Sequence, residues 1–241
     1  MDRAIKAEWY DLDDADREAF LAWCHGEYCP RLQAQPGHIW VGHYNRAPRK
    51  IRPPGTHQVK FTDDPTVPTG SQYLLLTAAA TPDVFFDPNA PTTEEPGTQK
   101  WLNKRVGYRC SIFLEETRVN GPAWHQHLQG LSAPPAMQLE NFRTASEADD
   151  LEFSRWYRQR RLPQITRTRG CIGARKLISI VGWPKHGILY EFTGMDPDER
   201  AFEDRFNAAP PDTAWSGKPV LDVSIHAPHG AHAGRRLWPP C

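Results

Sequence analysis

The chain has 241 residues, of which 39% are hydrophobic, and its 29 Lys plus Arg are balanced by 29 Asp plus Glu. This length suits one large domain or two small ones, and the balanced charge argues against a general electrostatic binder of nucleic acid. No apolar run approaches the roughly 18 residues of a membrane span, and the first six residues lack the apolar stretch of a signal peptide. We therefore expect a cytoplasmic protein that acts away from nucleic acid and membranes.

The first predicted elements are a strand, a helix and a second strand. Alternating apolar residues predict a strand over Ala4–Trp9, and Asp13 precedes a helix that carries an acid in its first turn. Pro30 is expected to stop or bend this helix. A glycine turn then leads into a predicted strand over Ile39–Tyr44.

The chain continues with strands at Gln72–Ala80 and Tyr108–Thr117, separated by a short helix around Gln99–Arg105. Two long Pro-rich loops, Ala47–Ser71 and Pro82–Gly97, interrupt this region. Loops longer than about 15 residues are usually functional or disordered, and we predict that these two are ordered and cover the fold.

An internal repeat relates the two halves of the chain. Shifted by 133 positions, Glu8–Tyr44 aligns without a gap over Asn141–Leu177. The identical pairs are Ala15/Ala148, Asp16/Asp149, Phe20/Phe153, Trp23/Trp156, Pro30/Pro163, Gly37/Gly170 and Ile39/Ile172. Phe, Trp, Pro and Gly carry structural meaning, and the Phe/Trp pairs recur three residues apart on one helical face. Each half therefore predicts the same supersecondary unit.

The second copy repeats the element order of the first. Its predicted elements are strands at Met137–Phe142, Ile172–Ile180, Gly187–Thr193 and Val220–Ala227, with helices after Ser146 and over Pro197–Asn207. Each copy reads βαββαβ, which is the ferredoxin-like arrangement of a four-stranded antiparallel sheet with helices on one face. Two such sheets can bury their free faces on each other. We predict an α+β fold in which tandem ferredoxin-like repeats form an α/β barrel.

The predicted boundaries follow from this reading. Residues 1–120 form the first repeat, 121–135 a linker, 136–228 the second repeat, and 229–241 a C-terminal tail that is either exposed or wrapped over a partner chain.

The local motif resembles the EthD-like group of the dimeric α/β-barrel superfamily. The first copy reads Phe20…Trp23-Cys24…Tyr28-Cys29-Pro30…Pro36-Gly37, and the second reads Phe153…Trp156-Tyr157…Arg161-Leu162-Pro163…Gly170. The resemblance implies the barrel fold, and it implies relatives that include cofactor-free monooxygenases, cyclases and isomerases, and haem enzymes of chlorite-dismutase type. The histidine that the group often carries two residues before the proline is replaced here by Tyr28 and Arg161.

The predicted barrel interior supplies the first candidate site residues. Alternation along the second strand places Trp40 and Tyr44 towards the barrel, with Arg175 at the matching place in the second copy, and these three would bind substrate. A carboxylate of Glu191 inside the barrel could act as a base, although an exposed strand position is an equal alternative. Alternation places His43 on the helix-covered face of the sheet. If the two faces are the other way round, His43 would point into the barrel and could be the functional residue.

Tyr28 could donate a proton and Arg161 could hold a carboxylate or enolate, because both lie near the end of the first helix of their copy. We expect both to line the same pocket between the two sheets as Trp40, Tyr44, Arg175 and Glu191. A core tyrosine and a surface arginine are the alternatives. His125, in Trp124-His125-Gln126-His127, could act as a base, a metal ligand or a haem ligand, or lie in a plain linker. We take His43 or His125 as the predicted proton-transfer group, and His25 as a partly exposed residue without a role.

The leading functional hypothesis is a lyase, isomerase or cyclase acting on a small hydrophobic or aromatic, oxygenated substrate. The five cysteines form no CxxC pair and no nucleotide-binding motif occurs, so we expect no metal and no organic cofactor. A haem-binding oxidoreductase and a non-catalytic ligand-binding protein are the alternatives. The expected partner is a small-molecule substrate, and the sequence leaves open whether two chains form a homodimer.

Overall fold

The computed structural model describes residues 1–48, 60–87, 96–165, 167–194 and 224–241. The first repeat begins with the element order that the sequence predicts. Its elements are β1 (Ala4–Leu12), α1 (Asp14–Trp23), a π-helical segment (Cys24–Tyr28), α2 (Cys29–Gln33), β2 (His38–Arg46), β3 (Lys60–Phe61), β4 (Tyr73–Ala79), α3 (Pro96–Leu102) and β5 (Arg105–Asn120).

The second repeat has the same order up to its third strand. Its elements are β6 (Ala136–Thr144), α4 (Glu147–Trp156), a π-helical segment (Tyr157–Arg161), α5 (Leu162–Ile165), β7 (Cys171–Val181), β8 (His186–Phe192), β9 (Ser224–His226) and β10 (His232–Trp238). The predicted helix over Pro197–Asn207 lies outside the described residues, as do the central parts of both Pro-rich loops.

The strands form two ferredoxin-like sheets joined into one barrel. Neighbouring strands follow the order β2-β4-β1-β5 in the first repeat and β7-β8-β6-β9 in the second. The long strand β5 pairs with β1 through its first half and with β7 through its second half, which joins the two sheets. The predicted α+β fold with tandem ferredoxin-like repeats is confirmed.

The C-terminal segment closes the barrel, which corrects the prediction of a tail. Strand β10 pairs with β6 through His232–Arg235 and with β2 through Gly234–Trp238. Strand β10 thus joins the sheet of the second repeat to β2 of the first repeat. In the same way, β5 joins the sheet of the first repeat to β7 of the second. Without β10, the edges of β2 and β6 would present unpaired backbone groups. The segment therefore forms a strand, although its Gly, Ala and Pro residues suggested an irregular tail.

Side-chain alternation separates a barrel core from two helix-covered cores. Trp40 and Tyr44 belong to the barrel core, whereas Val41 belongs to the core beneath α1. In the second repeat Leu177 points into the barrel and Ala174 packs beneath α4. The face assignment predicted from alternation on β2 and β7 is therefore correct.

The number of residues that separates equivalent elements of the two repeats is not the same for every element. The helices, the π-helical segments and the second strands match at the predicted spacing of 133, but β1 and β6 match at 132. The second copy has an additional residue in the turn before α4. Because a shift of one residue reverses the face of a strand, Glu8 is helix-covered whereas Asn141, its predicted counterpart, points into the barrel.

Both prolines lie inside helical structure that continues past them. In each repeat a π-helical segment ends two residues before the proline, and the Cys29 backbone N–H donates to the carbonyl of Cys24. Proline lacks an N–H and crowds the carbonyl four residues earlier, so a wider π turn lets the helix pass where a regular α-helix would break. Of the two predicted effects of Pro30 and Pro163, stopping or bending the helix, neither proline stops it: each follows a π-helical segment, and the helix continues through it.

Candidate functional site

A chain of three polar side chains crosses the helix-covered core of the first repeat. The hydroxyl of Tyr10 on β1 lies 2.8 Å from Nε2 of His43 on β2. The other nitrogen of His43, Nδ1, lies 2.8 Å from Nε2 of His25 in the π-helical segment. Tyr10 and His43 are fully buried and His25 is half-buried, so the chain runs from the core to the surface. We call these three residues the Tyr10–His43–His25 chain.

The π-helical segment accounts for the position of His25. A regular α-helix would turn His25 away from the face defined by Phe20 and Trp23, which is why its spacing predicts an exposed residue. The π turn has more residues per turn and therefore changes the angle at which each following side chain leaves the helix. His25 consequently reaches the imidazole of His43, with the two ring centroids 5.1 Å apart.

Burial keeps the members of this chain uncharged. Burial lowers the pKa of His43 well below its ordinary value, and the charges that His25 and His232 would carry act in the same direction. Burial also lowers the pKa of His25, while it raises the pKa of Tyr10 well above that of a free phenol. At neutral pH the chain therefore holds two neutral imidazoles and a protonated phenol, which can accept and pass a proton.

Two cysteines and a tyrosine adjoin the chain. The thiols of Cys24 and Cys29 lie 3.6 Å apart and form a hydrogen bond, and Tyr28 stacks on Trp23 with ring centroids 5.1 Å apart. Burial raises the pKa of Tyr28 far above its ordinary range, so its phenol is a proton donor. One ligand atom each from Cys24, His25 and His43 lies within 4.8 Å of the other two, which is a geometry that could hold a metal ion.

Glu8 also lies on the helix-covered side of the first sheet, but its side chain remains an ionised carboxylate. Burial favours its protonated form, yet the charges of Lys6 and Arg105 and hydrogen bonds from Tyr108 and Arg105 hold the pKa of Glu8 below its ordinary value. Its carboxylate accepts from the Tyr108 hydroxyl at 2.7 Å and from Arg105 at 3.2 Å. The group is therefore occupied as the anchor of an ion-pair cluster.

The barrel interior brings together four of the predicted site residues, Trp40, Tyr44, Arg175 and Glu191, in its core. Arg175 donates to Asp2 at 2.7 Å and forms an ion pair with Glu191. The Trp40 indole donates to Asp2 at 2.7 Å, and the Tyr44 hydroxyl donates to the carbonyl of Pro134. Each of the four therefore has a polar partner inside the protein, and the ion pairs join Asp2, Arg175 and Glu191. We call Asp2, Trp40, Tyr44, Arg175 and Glu191 the Arg175 cluster and regard it as structural.

The remaining predicted residues lie apart from that cluster. Tyr28 and His43 lie in the helix-covered core of the first repeat, so the expectation that Tyr28 lines a pocket between the two sheets is wrong, and His43 is likewise outside the barrel interior. Arg161 lies in the π-helical segment of the second repeat, where it interacts with Tyr190. His125 is exposed on the short turn Trp124–Gln126.

Two residues of the Tyr10–His43–His25 chain were missed from the sequence. Tyr10 follows the predicted first strand directly, and its contact with His43 spans 33 positions, which no local pattern reveals. One feature of the sequence could have indicated the position of His25. It lies five residues before Pro30, where a π turn relieves the steric crowding caused by the proline.

Comparisons with known proteins support the fold. No protein-family model matches the chain, and no curated protein matches it in sequence. A protein described as a candidate monooxygenase from Fusobacterium nucleatum superposes with a TM-score of 0.56 at 7% identity, covering 98% of this chain and 91% of that one. An anthrone oxidase-like protein gives 0.56 at 8% identity, covering 98% and 92% of the two chains.

A candidate chlorite dismutase gives a TM-score of 0.52 at 12% identity, covering 98% of this chain and 96% of that one. Identities this low show a shared fold alone, which is the ferredoxin-like barrel. None of these structures is named for the EthD group, so the resemblance to that group in particular stays a prediction. Within the described residues, no helix has the length and apolar character needed to cross a bilayer.

Proposed function

We propose that this chain is an enzyme without an organic cofactor that transfers protons on a small aromatic or hydrophobic, oxygenated substrate. The observation that carries the proposal is the continuous hydrogen-bonded chain from the buried Tyr10 through His43 to the half-buried His25. A base oriented by a second group, which is itself oriented by a third, is the arrangement expected of a proton-transfer site. The proposed site thus lies beneath α1 and not inside the barrel.

His25 is the proposed base and His43 the residue that positions it. Both ring nitrogens of His43 are engaged, whereas His25 uses only Nε2 in this contact and is the half-buried end of the chain, so we assign the role of base to its Nδ1. A substrate C–H bond adjacent to a carbonyl would break, with the proton passing to Nδ1 and the electron pair remaining as an enolate. His43 Nδ1 would accept from the imidazolium Nε2–H while His43 Nε2–H donates to Tyr10.

The surroundings favour an aromatic substrate. The rings of His43 and Tyr73 stack with centroids 5.3 Å apart, and those of Tyr10 and Tyr73 lie 5.7 Å apart. Trp238 lies opposite His43 on the barrel-closing strand and packs against the same core. Flat apolar rings beside a neutral base suit an aromatic ketone or phenol better than a charged metabolite.

Deuterium exchange tests this function, because it detects proton transfer whatever product the enzyme releases. The wild-type protein in D₂O is expected to accelerate exchange at the two carbons beside the carbonyl of 2-tetralone, followed by proton NMR. His25→Gln should slow the catalysed exchange by about 10²–10⁴-fold, because it removes the base but keeps a hydrogen-bonding side chain.

Arg158→Gln is the matched control, since Arg158 occupies the equivalent position in the second repeat and is exposed. Full exchange activity in His25→Gln would contradict the proposed site. Loss of activity in His125→Gln alone would instead favour the surface histidine predicted from the sequence.

A metal-dependent reaction is the second candidate, favoured by the proximity of Cys24, His25 and His43. A borderline metal such as Zn²⁺ would replace the contact between the two imidazoles and would take its thiolate from Cys24. Metal analysis of the purified protein and of Cys24→Ala separates the two candidates. A bound metal that is lost in Cys24→Ala, together with activity that depends on it, would support the metal-dependent alternative.

Haem ligation by His43 or His186 fits the described residues poorly. His43 forms hydrogen bonds through both ring nitrogens, and His186 in the second repeat forms a hydrogen bond with Asp150 and packs against Phe142 and Phe153. Either histidine would have to lose one of these contacts to become an axial ligand. A visible absorption band in the purified protein would nevertheless overturn this reading, and ligand binding without any turnover would favour a binding protein.

A further inference from the structure

A second cluster of polar side chains points into the barrel, away from the Arg175 cluster. Trp9 on β1 and Arg109 on β5 are paired across the sheet, and the Arg109 guanidinium lies 4.2 Å from the Trp9 ring centroid. Arg109 donates to Oδ1 of Asn141 on β6 at 3.1 Å. His232 on β10 lies opposite Leu139, a barrel-core residue, and opposite residues share a face. We call Trp9, Arg109, Asn141 and His232 the Arg109 cluster.

The Arg109 cluster is buried but retains unused hydrogen-bonding groups. The exposed fractions of Trp9, Arg109, Asn141 and His232 are 0%, 9%, 0% and 1%. Among the residues that the structure describes, no hydrogen-bond partner is found for Trp9 Nε1, Arg109 Nε, Asn141 Nδ2 or either ring nitrogen of His232. Buried polar groups without partners are costly and rare in folded proteins, and the presence of four such side chains on the barrel face of neighbouring strands indicates a ligand that would satisfy them.

The charge of Arg109 is also uncompensated. No carboxylate of the described residues lies within ion-pair distance of it, whereas Arg175 has Asp2 and Glu191. Burial, with repulsion from Arg46, lowers the pKa of Arg109 to about 9, and Asp11 offsets this only in part. The Asp11 carboxylate already accepts from the backbone N–H groups of Ser71 and Gln72. A buried cation in such surroundings favours an anion as its partner.

We propose that the Arg109 cluster is a binding site for a small organic monocarboxylate with a flat apolar body. The two oxygens of a carboxylate offer about four acceptor positions, which match one donor each from Arg109, Trp9, Asn141 and His232. A single negative charge balances the one guanidinium, while a dianion would leave excess charge against Leu74 and Leu139. The site lies on the opposite face of the sheet from the Tyr10–His43–His25 chain.

Neutral His232 completes the recognition of the carboxylate. Burial lowers the pKa of His232 to about 3, with the charges of Arg46 and Arg109 adding to the effect. The backbone of Ser71 lies close to the imidazole and acts in the opposite direction, raising the pKa of His232. The geometry of this contact is not that of a normal hydrogen bond. A neutral imidazole can donate one N–H to the ligand, and a bound anion would stabilise its protonated form, so the pKa of His232 should rise on binding.

Benzoate and benzamide test the proposal, because they share a shape and differ in charge. Titration calorimetry on the full chain is expected to show saturable benzoate binding, with benzamide at least tenfold weaker. Arg109→Gln, which keeps an amide donor for Asn141, should weaken benzoate binding at least tenfold. The matched variant Arg3→Gln, at an exposed position on the same sheet, should leave the Kd unchanged.

Nitrogen-15 NMR of histidine-labelled wild-type protein keeps the test valid if Arg109→Gln does not fold. The ring signal absent from His232→Gln identifies His232, and benzoate is expected to shift that signal and raise its titration midpoint. Equal binding of benzamide, an unchanged Kd in Arg109→Gln, or a His232 signal indifferent to benzoate would each overturn the proposal. Tighter binding of inorganic phosphate than of benzoate would overturn the ligand class.

Discussion

Two buried arginines in the same barrel show how neighbours decide the role of a residue. Arg175 is fully buried between Asp2 and Glu191, and burial, which lowers its pKa, is outweighed by these two carboxylates, so its pKa is raised. Arg109 has no such partners among the described residues, and its pKa is lowered. The first arginine is therefore committed to structure, and the second is available to a ligand.

Arg175→Met is expected to lower the free energy of unfolding by about 3–5 kcal/mol, because it leaves the buried Glu191 carboxylate without a cation and leaves Asp2 with Arg118 as its one remaining ion-pair partner among the described residues. Urea denaturation at pH 7 measures the loss. The exposed Arg3→Met should change stability by no more than about 0.5 kcal/mol. If Arg175→Met were as stable as the wild type, the Arg175 cluster would not be the structural ion cluster described above.

At the scale of elements, the last strand completes the fold. Strand β10 fills the gap between β2 and β6, and its His232 and Gly234 lie opposite Leu139 and Met137 of the barrel core. Without it both neighbouring strands would expose backbone donors and acceptors along their edges, and the barrel core would be open to water.

A chain truncated after residue 228 is therefore expected to lose cooperative unfolding or to associate through the exposed edges of β2 and β6. Size-exclusion chromatography and urea denaturation would detect either outcome. A chain that ends at Trp238 keeps all of β10 and is the control, which should behave as the wild type. A monomeric, cooperatively folded product of the longer truncation would contradict the closing role of β10.

At the scale of the whole molecule, burial of neutral histidines couples stability to pH. The pKa is lowered, with burial as the leading cause, in His25, His38, His43, His186 and His232. Below the ordinary histidine pKa of about 6.5, the unfolded chain binds protons that the folded chain excludes. Stability is thus complete above that pH and falls as the pH drops towards the folded values.

His232 alone should account for about 2 kcal/mol of lost stability at pH 5, given its folded pKa of about 3. The free energy of unfolding, measured in urea at pH 7 and pH 5, should fall by at least this amount in the wild type. In His232→Gln the decrease should be smaller by about 2 kcal/mol, since glutamine does not titrate. An identical decrease in both proteins would show that His232 is not held neutral.

The sequence by itself determined the repeat, the βαββαβ order and the faces of β2 and β7. These features depend on local periodicity, because a strand alternates every two residues and a helix face returns every three or four. The N-cap at Ser146 is of the same kind, since its side chain accepts from Asp149 N–H one turn later. Alternation likewise placed Trp40, Tyr44 and Arg175 inside the barrel, whereas for Glu191 it left an exposed strand position as an equal alternative.

Only the tertiary structure decided what those residues do. Arg175 meets Asp2 from the opposite end of the chain, so a predicted anion anchor becomes part of a closed ion cluster. The contact of His25 with His43 depends on a π turn, and that of His43 with Tyr10 depends on pairing through β4. The pairing partners of a polar group lie far away in sequence, and the free energy of a buried charge depends on those partners. Local pattern therefore predicts the fold, while charge compensation across the barrel decides which buried groups remain available for chemistry.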